Sequence, residues 1–292
     1  MVTWPDLIEF CSFLVTLIAL IGVPLLLVVL LVLPPIATTI LAAAIAGAAA
    51  YELLHTAGKN VPIFVYVLTI LMAALTVLLC ARQPRPAVYS APDYAPYLYA
   101  ALAFLYVVVL FSVTVGTHGL ENAMPFGSLA VCIVGAFVFP AMYSCIALLR
   151  NISPVFVLMP FVVAFIGDSF SMFAGMLFGG KRMAPRVSPK KTWAGGIGGP
   201  VGSALGMLIL GLVARAAWSM ELPLWYLAVI GVIANLFGQL GDLSMSVIKR
   251  EAGIKDYSHI FLTHGGVLDR FDSTMFIAPV VYGMVMLLEV AL

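Results

Sequence analysis

Long apolar runs separated by short polar breaks dominate the chain. A helix needs about 20 apolar residues to cross a bilayer. Nine runs reach or approach that length: 11–32, 35–55, 62–81, 97–116, 126–149, 155–179, 194–217, 224–248 and 272–291. Pro34 and Pro35 separate the first two runs, because proline lacks a backbone N–H and clashes inside a helix. The pattern predicts an all-α polytopic membrane protein with about nine transmembrane helices.

The composition supports this class and excludes others. Of the 292 residues, 63% are hydrophobic and 9% are charged, whereas a soluble domain carries about 25% charged residues. An ordinary soluble enzyme is therefore excluded. The net charge of +1 provides no basic surface, so we expect no nucleic-acid partner. Because a charge inside a bilayer costs at least a few kcal/mol, charges near the apolar runs are candidates for function.

The basic residues are unevenly distributed and indicate the orientation. Nine of the 14 lie in two short loops: Lys181, Arg182, Arg186, Lys190 and Lys191 in one, and Lys249, Arg250, Lys255 and Arg270 in the other. Two runs separate these loops, so both are expected on one membrane face. The positive-inside rule makes that face cytoplasmic. The charges before Asp168 follow no comparable pattern.

The sixth run carries a carboxylate in its middle. At 100° per residue, Asp168, Ser171, Gly175 and Gly179 fall on one side of a helix. A neutral Asp that bonds a neighbouring helix would explain this stripe, but a carboxylate is a costly choice for packing alone. The stripe is predicted to face a functional cleft.

The loop 181–193 combines five cations with two prolines, and the next helix is expected to begin near Thr192. Glycines occupy the first turns of that helix. Cations beside a helix N-terminus are typical of a phosphate site. A topology anchor that touches lipid headgroups is the alternative interpretation of this loop.

The eighth run carries a second polar stripe. Asn235, Gln239, Asp242, Ser246 and Lys249 fall on one helix face. Since Lys249 marks the cytoplasmic end, Asp242 lies about 10 Å deeper at 1.5 Å per residue. The stripe predicts a polar cleft that opens to the cytosol and enters the bilayer.

A third polar segment follows the eighth run. Asp269 and Asp272 are three residues apart, so a helix would place them on one face. Gly265 and Gly266 precede them and permit a tight turn. Carboxylates from two helices opposite many cations suit Mg²⁺ with a polyphosphate, because Mg²⁺ takes one or two carboxylates and completes its shell with phosphate and water.

These segments closely resemble the signature of the phosphatidate cytidylyltransferase family, also called CDP-diacylglycerol synthases. The long C-terminal motif comprises 246–250, Lys255-Asp256, His264-Gly265-Gly266 and 269–272. Similar motifs occur at 167–169, 188–193 and 241–243. The chain departs from the usual pattern at Ala194, where the family has Glu, and at Leu262 and Phe173. The loss of the carboxylate at position 194 is the departure closest to the predicted phosphate site, so the chain could be a divergent paralogue.

The resemblance implies the transfer of CMP from CTP to phosphatidate, which gives CDP-diacylglycerol and pyrophosphate. It assigns catalytic roles to Asp242, Asp269, Asp272, Lys190 and Lys191. Asp242 and Asp269 would hold Mg²⁺ or another divalent cation, and a second cation such as K⁺ is compatible with the pattern. The resemblance assigns substrate binding to Asp168, Ser188, Thr192, Ser246, Lys249, Arg250, Lys255, His264 and Arg270.

Two alternatives remain open from the residues. One is a CTP-dependent enzyme that acts on another lipid phosphate or on a lipid alcohol. The other is an ion-coupled membrane transporter, which would use the membrane-embedded Asp residues as ion sites.

The resemblance also implies an organisation. Residues 1–150 would form a scaffold that faces lipid or forms a homodimer, and residues 151–292 would form the catalytic region with two cytoplasmic loops. The expected location is a bacterial inner membrane, with the active site on its cytoplasmic face and membrane lipid around the helices.

Overall fold

The computed structural model describes residues 22–82, 94–258 and 265–291. Within them the chain is almost entirely helical. The helices are α1 Gly22–Val32, α2 Pro35–Ala57, α3 Ile63–Cys80, α4 Ala95–Gly116, α5 Phe126–Ile152, α6 Pro154–Phe178, α7 Trp193–Trp218, α8 Leu224–Glu251 and α9 Val267–Ala291.

Eight of these helices, α2 to α9, are long and apolar enough to cross a membrane. They coincide with the second to ninth apolar runs, so the predicted all-α polytopic class is confirmed. For the first run, the described part is the short helix α1, and residues 11–21 lie outside the described residues.

Local sequence explains where the helices begin. Pro35 and Pro154 occupy first-turn positions, where the missing N–H costs nothing. Ser153 caps α6 by accepting a hydrogen bond from the Val155 N–H at 3.2 Å, and this satisfies one of the donors that a helix start leaves free. The bounds of the helices therefore follow from identifiable start signals.

The loop after α6 is a small antiparallel hairpin and not an irregular connection. Strand β1 covers Arg182–Ala184, and β2 covers Ser188–Thr192. The backbone N–H of Trp193 donates to the Lys181 carbonyl at 3.1 Å and closes the base of the hairpin. The predicted phosphate loop is thus a defined element that begins and ends beside α6 and α7.

Helices α6 to α9 pack in sequence order, α6 on α7, α7 on α8 and α8 on α9. The preceding helices do not form a separate bundle, because α9 also packs against α2 and α5. One continuous apolar core includes Ala46 of α2, Tyr143 of α5 and Val281 of α9. Helix α4 contacts α3 and α5 at the edge and is largely exposed.

Candidate active site

A cleft of about 430 Å³ lies where α6, the hairpin, α7 and α8 meet. Ligand pockets have volumes of roughly 300–1,000 Å³, so the cleft is large enough for a nucleotide-sized molecule. The cleft is lined by Asp168, Ser171, Met172, Gly175, Met176, Arg182, Met183, Lys190, Lys191, Thr192, Gly195, Gly196 and Gln239. The predicted stripe on α6 and the predicted cationic loop therefore share one cavity.

Lys191 of the hairpin forms an ion pair with Asp242 of α8. The second carboxylate oxygen of Asp242 accepts a longer hydrogen bond from the Ser246 hydroxyl, at 3.4 Å. Ser246 is thereby placed behind Asp242, one turn along the same helix. The contact between Lys191 and Asp242 confirms that the loop and the α8 stripe lie at the same end of the bundle.

Lys249 forms a second ion pair, with Asp269 at the start of α9. The Lys249 Nζ lies 2.7 Å from Asp269 Oδ1. Asp269 Oδ2 accepts the backbone N–H groups of Tyr257 at 2.8 Å and Gly266 at 2.9 Å. Three donors therefore surround this carboxylate, and φ of +78° at Gly265 allows the backbone to turn around it.

Asp272 lies one helical turn after Asp269 and is buried. One of its oxygens accepts the Ser273 backbone N–H at 2.6 Å. Asp272 interacts electrostatically with Asp242, Lys249 and Asp168, and Asp168 interacts with Asp242 and Lys191. Asp272 thus lies within electrostatic range of both ion pairs, and these charged residues are called the charged cluster below.

Tyr257 lies beside this cluster, in the segment after α8. Its ring centroid is 5.4 Å from the Lys249 Nζ, and its hydroxyl donates to the Met245 carbonyl at 3.0 Å. Burial, reinforced by the nearby charges of Asp269 and Asp272, raises the pKa of Tyr257 above its ordinary value. The hydroxyl is therefore a neutral donor at physiological pH.

The inner part of the α8 stripe forms a polar contact between helices. The Gln239 side-chain amide donates to Asn235 Oδ1 at 2.8 Å and to the Gly196 carbonyl of α7 at 3.0 Å. Asn235 is buried, and its neighbour across the interface is Gly167 of α6. The predicted helix face is confirmed, and its deepest members join α6, α7 and α8.

The remaining predicted binding residues have varied positions. Thr192 lines the cleft, and its hydroxyl accepts the Gly195 N–H at 3.1 Å and so caps α7. Arg250 donates to the Val187 carbonyl at 3.4 Å and to the Ile254 carbonyl at 3.0 Å, which joins the two basic loops. Ser188 begins β2, Lys255 and Arg270 are exposed near the cluster, and His264 lies outside the described residues.

One buried carboxylate in this region was not predicted. Glu52 of α2 accepts hydrogen bonds from the first residues of α9 and from Ser258. The charges before Asp168 show no pattern comparable to that of the later ones in the sequence, yet Glu52 contacts the segment that carries Asp269. The available signal was its position as a carboxylate within an apolar run, but its partners lie more than 200 residues away in the sequence.

The carboxylates of this region provide few ligands for a divalent cation. Among the described residues, no group of three or more His, Cys, Asp or Glu side chains is placed to hold a metal ion. One or two carboxylates with phosphate and water are sufficient for Mg²⁺. With described residues, Asp242 makes one ion pair and one long hydrogen bond, so its carboxylate retains lone pairs that no donor among these residues takes. The residues fit a Mg²⁺ site of the one- or two-carboxylate kind.

The comparison with known families decides the class. A sequence model described as the cytidylyltransferase family matches residues 14–288. The chain belongs to this family. It is therefore a nucleotidyltransferase embedded in a membrane, which is the class that the motifs at 246–250 and 269–272 predict, and membership argues against a transporter.

Individual relatives agree with the family match. The chain is 31% identical to the phosphatidate cytidylyltransferase of Rickettsia felis over 185 residues, which cover 61% of this chain and 80% of that protein. It is 33% identical over 187 residues to the enzyme of the same name from Rickettsia prowazekii, with 62% and 81% coverage. Identity reaches 41% over 124 residues with the phosphatidate cytidylyltransferase of Staphylococcus saprophyticus, where coverage is 42% and 46%.

Proposed function

We propose that this protein is a phosphatidate cytidylyltransferase of phospholipid biosynthesis. It transfers CMP from CTP to phosphatidate and releases pyrophosphate. An oxygen of the phosphatidate phosphate attacks the α-phosphorus of CTP, and the bond between that phosphorus and the β-phosphate oxygen breaks. Because the attacking phosphate is already an anion at pH 7, the reaction requires no general base.

The observation that carries this proposal is the contact between Asp242 and Lys191, a residue that lines the cleft. It brings the cationic hairpin and the acidic α8 stripe together, as transfer between two phosphates requires. Positioning and charge stabilisation supply most of the catalysis in such reactions. The family membership and the named relatives support the same activity.

The CTP phosphates are held by the hairpin in this proposal. Lys190, Lys191 and Arg182 line the same wall of the cleft, and the N-terminus of α7 contributes backbone N–H groups beside them. Lys191 exchanges its contact with Asp242 for a phosphate oxygen when the nucleotide enters. Asp168 interacts electrostatically with Lys191. In this proposal it orients that lysine across the cleft.

The acceptor phosphate lies toward the second ion pair. Lys249, Arg250 and Arg270 are the cations of that side, and we propose that they hold the acceptor phosphate or the departing pyrophosphate. Met172 and Met176 form an apolar part of the cleft wall and are exposed on the outer surface of the helices. The acyl chains of membrane lipid are expected to lie against them.

Asp242 is the proposed Mg²⁺ ligand, with Asp269 as the second carboxylate. When bound, Mg²⁺ would neutralise charge on the phosphates and on the departing pyrophosphate. Asp272 interacts electrostatically with residues of both ion pairs and is the alternative second carboxylate. A second cation such as K⁺ stays a prediction.

The proposed location is a bacterial inner membrane, with the cleft at its cytoplasmic face. The named relatives are bacterial, and the two basic loops contact each other through Arg250 and Val187, so they lie on one face, which the positive-inside rule makes cytoplasmic. A homodimer through the scaffold helices also stays a prediction.

The decisive experiment incubates the purified protein with CTP, Mg²⁺ and phosphatidate in mixed micelles and measures pyrophosphate and CDP-diacylglycerol. Formation of both in equal amounts is expected. A parallel assay replaces phosphatidate by an isoprenoid phosphate or a lipid alcohol. Turnover in that assay alone would replace the proposed acceptor and keep the family.

A further inference from the structure

Glu52 is a fully buried carboxylate in the last third of α2. Its Oε1 accepts the Val267 N–H at 2.9 Å and the Ser258 hydroxyl at 2.5 Å. Its Oε2 accepts the Leu268 N–H at 2.7 Å. Both oxygens are therefore committed to the segment that leads into α9 and to the first turn of that helix.

This arrangement compensates the cost of burying the charge. The first four N–H groups of a helix have no partner within the helix, and the N-terminus carries a partial positive charge. Glu52, which lies in another helix, accepts two of these free N–H groups of α9 and places a negative charge beside its N-terminus. The contact joins residues more than 200 positions apart. It therefore connects α2 directly to the start of α9, the helix that carries Asp269 and Asp272.

Glu52 and Asp269 divide the donors at this helix start between them. Glu52 takes the N–H groups of Val267 and Leu268, and Asp269 takes the preceding N–H of Gly266 together with that of Tyr257. Asp269 Oδ1 is left to Lys249. The position of the first turn of α9, and with it the direction of Asp269 and Asp272, depends on the carboxylate of Glu52.

Gly266 provides a second and independent sign of this contact. A Cβ atom at Gly266 would lie 2.7 Å from Glu52 Cδ and closer still to Oε1. The φ angle of Gly266 is not in the left-handed region, unlike that of Gly265. Gly266 is thus needed for the space that the Glu52 carboxylate occupies and not for an unusual backbone conformation.

We propose that Glu52 is a positioning residue for cytidylyl transfer, which holds the start of α9 and with it the positions of Asp269 and Asp272. The inference rests on the proposed function for its kinetic test. The role differs from that of a catalytic residue, because Glu52 contacts the backbone of the signature segment and lies away from the cleft wall.

The first test is Glu52→Gln, which keeps the size of the side chain but turns an amide donor toward backbone donors. A small displacement of reacting groups costs about 10- to 100-fold in rate, so kcat per folded molecule is expected to fall by that factor, with the KM for CTP changed less than about twofold. Hydrogen exchange measured by mass spectrometry supplies a readout apart from activity. The amides of 265–269 are expected to exchange faster, while those in the middle of α9 stay protected.

The matched control is Thr76→Val, which removes a buried hydroxyl that bonds the Ala136 carbonyl at 2.9 Å, far from the signature segment. It is expected to lower stability without changing kcat per folded molecule. If Glu52→Gln behaves like Thr76→Val in kinetics and exchange, the positioning role is overturned. If the wild-type protein itself forms no CDP-diacylglycerol, the proposed function fails, and the exchange result alone decides whether Glu52 holds α9.

A second variant keeps the inference testable if Glu52→Gln does not fold. Gly266→Ala adds one methyl group against the Glu52 carboxylate just before α9, whereas Gly283→Ala, within α9, meets nothing within 4 Å. Gly266→Ala is expected to lower kcat by about 10-fold or more, and Gly283→Ala to leave it unchanged. Equal activity of the two variants would overturn the proposal.

Discussion

Lys249 and Asp269 form a nearly buried ion pair, with 2.7 Å between Nζ and Oδ1 and with 11% and 7% of the two side chains exposed. Asp242, which the motifs group with Asp269 as a metal pair, is bonded to Lys191 and is 32% exposed. The two carboxylates therefore occupy different environments. Asp269 is fixed by three donors, and Asp242 contacts Lys191, which lines the cleft. Their substitutions should have different consequences.

The ion pair of Lys249 should be essential for stability. Removal of one partner from a buried pair costs about 3–5 kcal/mol, because the other charge is left without compensation. Lys249→Met is therefore expected to lower the free energy of unfolding in detergent by about that amount. The double variant Lys249→Met/Asp269→Asn should be less destabilised than the sum of the single variants. A Lys249→Met protein as stable as the wild type would contradict the pairing.

Asp242→Asn should abolish turnover and leave the fold intact. Loss of a metal ligand is expected to reduce kcat at least about 100-fold, or roughly 3 kcal/mol in activation free energy. The free energy of unfolding should change little, since the side chain is partly exposed. Pyrophosphate release and thermal unfolding in detergent measure the two effects.

The control for Asp242 is Ser244→Ala. Ser244 lies outside the stripe of α8, is half-buried and donates a hydrogen bond to the Leu240 carbonyl of its own helix. Its replacement should leave both kinetics and stability unchanged. Normal turnover by Asp242→Asn would exclude Asp242 as the metal ligand.

The transmembrane helices and one face of α8 could be predicted because the signals are local. A run of about 20 apolar residues reports a span directly. The polar positions from Asn235 to Lys249 share a helix face through the 3.6-residue period alone. The contacts of Gln239 with Asn235 and Gly196 confirm that this face points into the bundle.

The partners of the charged residues could not be predicted, because they depend on how distant helices pack. Two lysines and two aspartates in one region allow more than one pairing, and nothing in their spacing selects Lys191 for Asp242. Glu52 shows the same limit, since its partners follow it by more than 200 residues. The hairpin at Arg182–Ala184 and Ser188–Thr192 was also missed, because Pro185 and Pro189 suggest an irregular loop.

Tyr257 should contribute to stability through its hydroxyl and little to turnover. Tyr257→Phe removes the donor to the Met245 carbonyl, which should cost about 1 kcal/mol. The ring over Lys249 and the backbone N–H to Asp269 both remain, so kcat should change less than about twofold. A large loss of activity would instead give the hydroxyl a role in the reaction.

The pH dependence of the same variant follows from the raised pKa of Tyr257. The folded state favours the neutral phenol, so its contribution is fully present below the pKa of the unfolded chain and is lost as pH rises through the folded-state pKa. The stability difference between wild type and Tyr257→Phe should be constant at neutral pH and shrink above about pH 10. Unfolding measured from pH 7 to 10.5 checks this, and a difference that already shrinks near pH 8 would contradict it.

Gly167 should be required for the approach of α6 to α8. A Cβ atom there would collide with the Asn235 amide and lie 2.5 Å from the Ser203 hydroxyl. Gly167→Ala is expected to lower the free energy of unfolding by about 1–3 kcal/mol through overpacking, and to reduce turnover because Asp168 is the next residue. Gly127→Ala in α5, where nothing lies within 4 Å, is the matched control and should be neutral or stabilising by up to about 1 kcal/mol. Thermal unfolding and pyrophosphate release on both variants decide the point. If Gly167→Ala matches Gly127→Ala in both measurements, α6 and α8 are not held at this distance by the missing side chain, and the position of Asp168 must be fixed by other contacts.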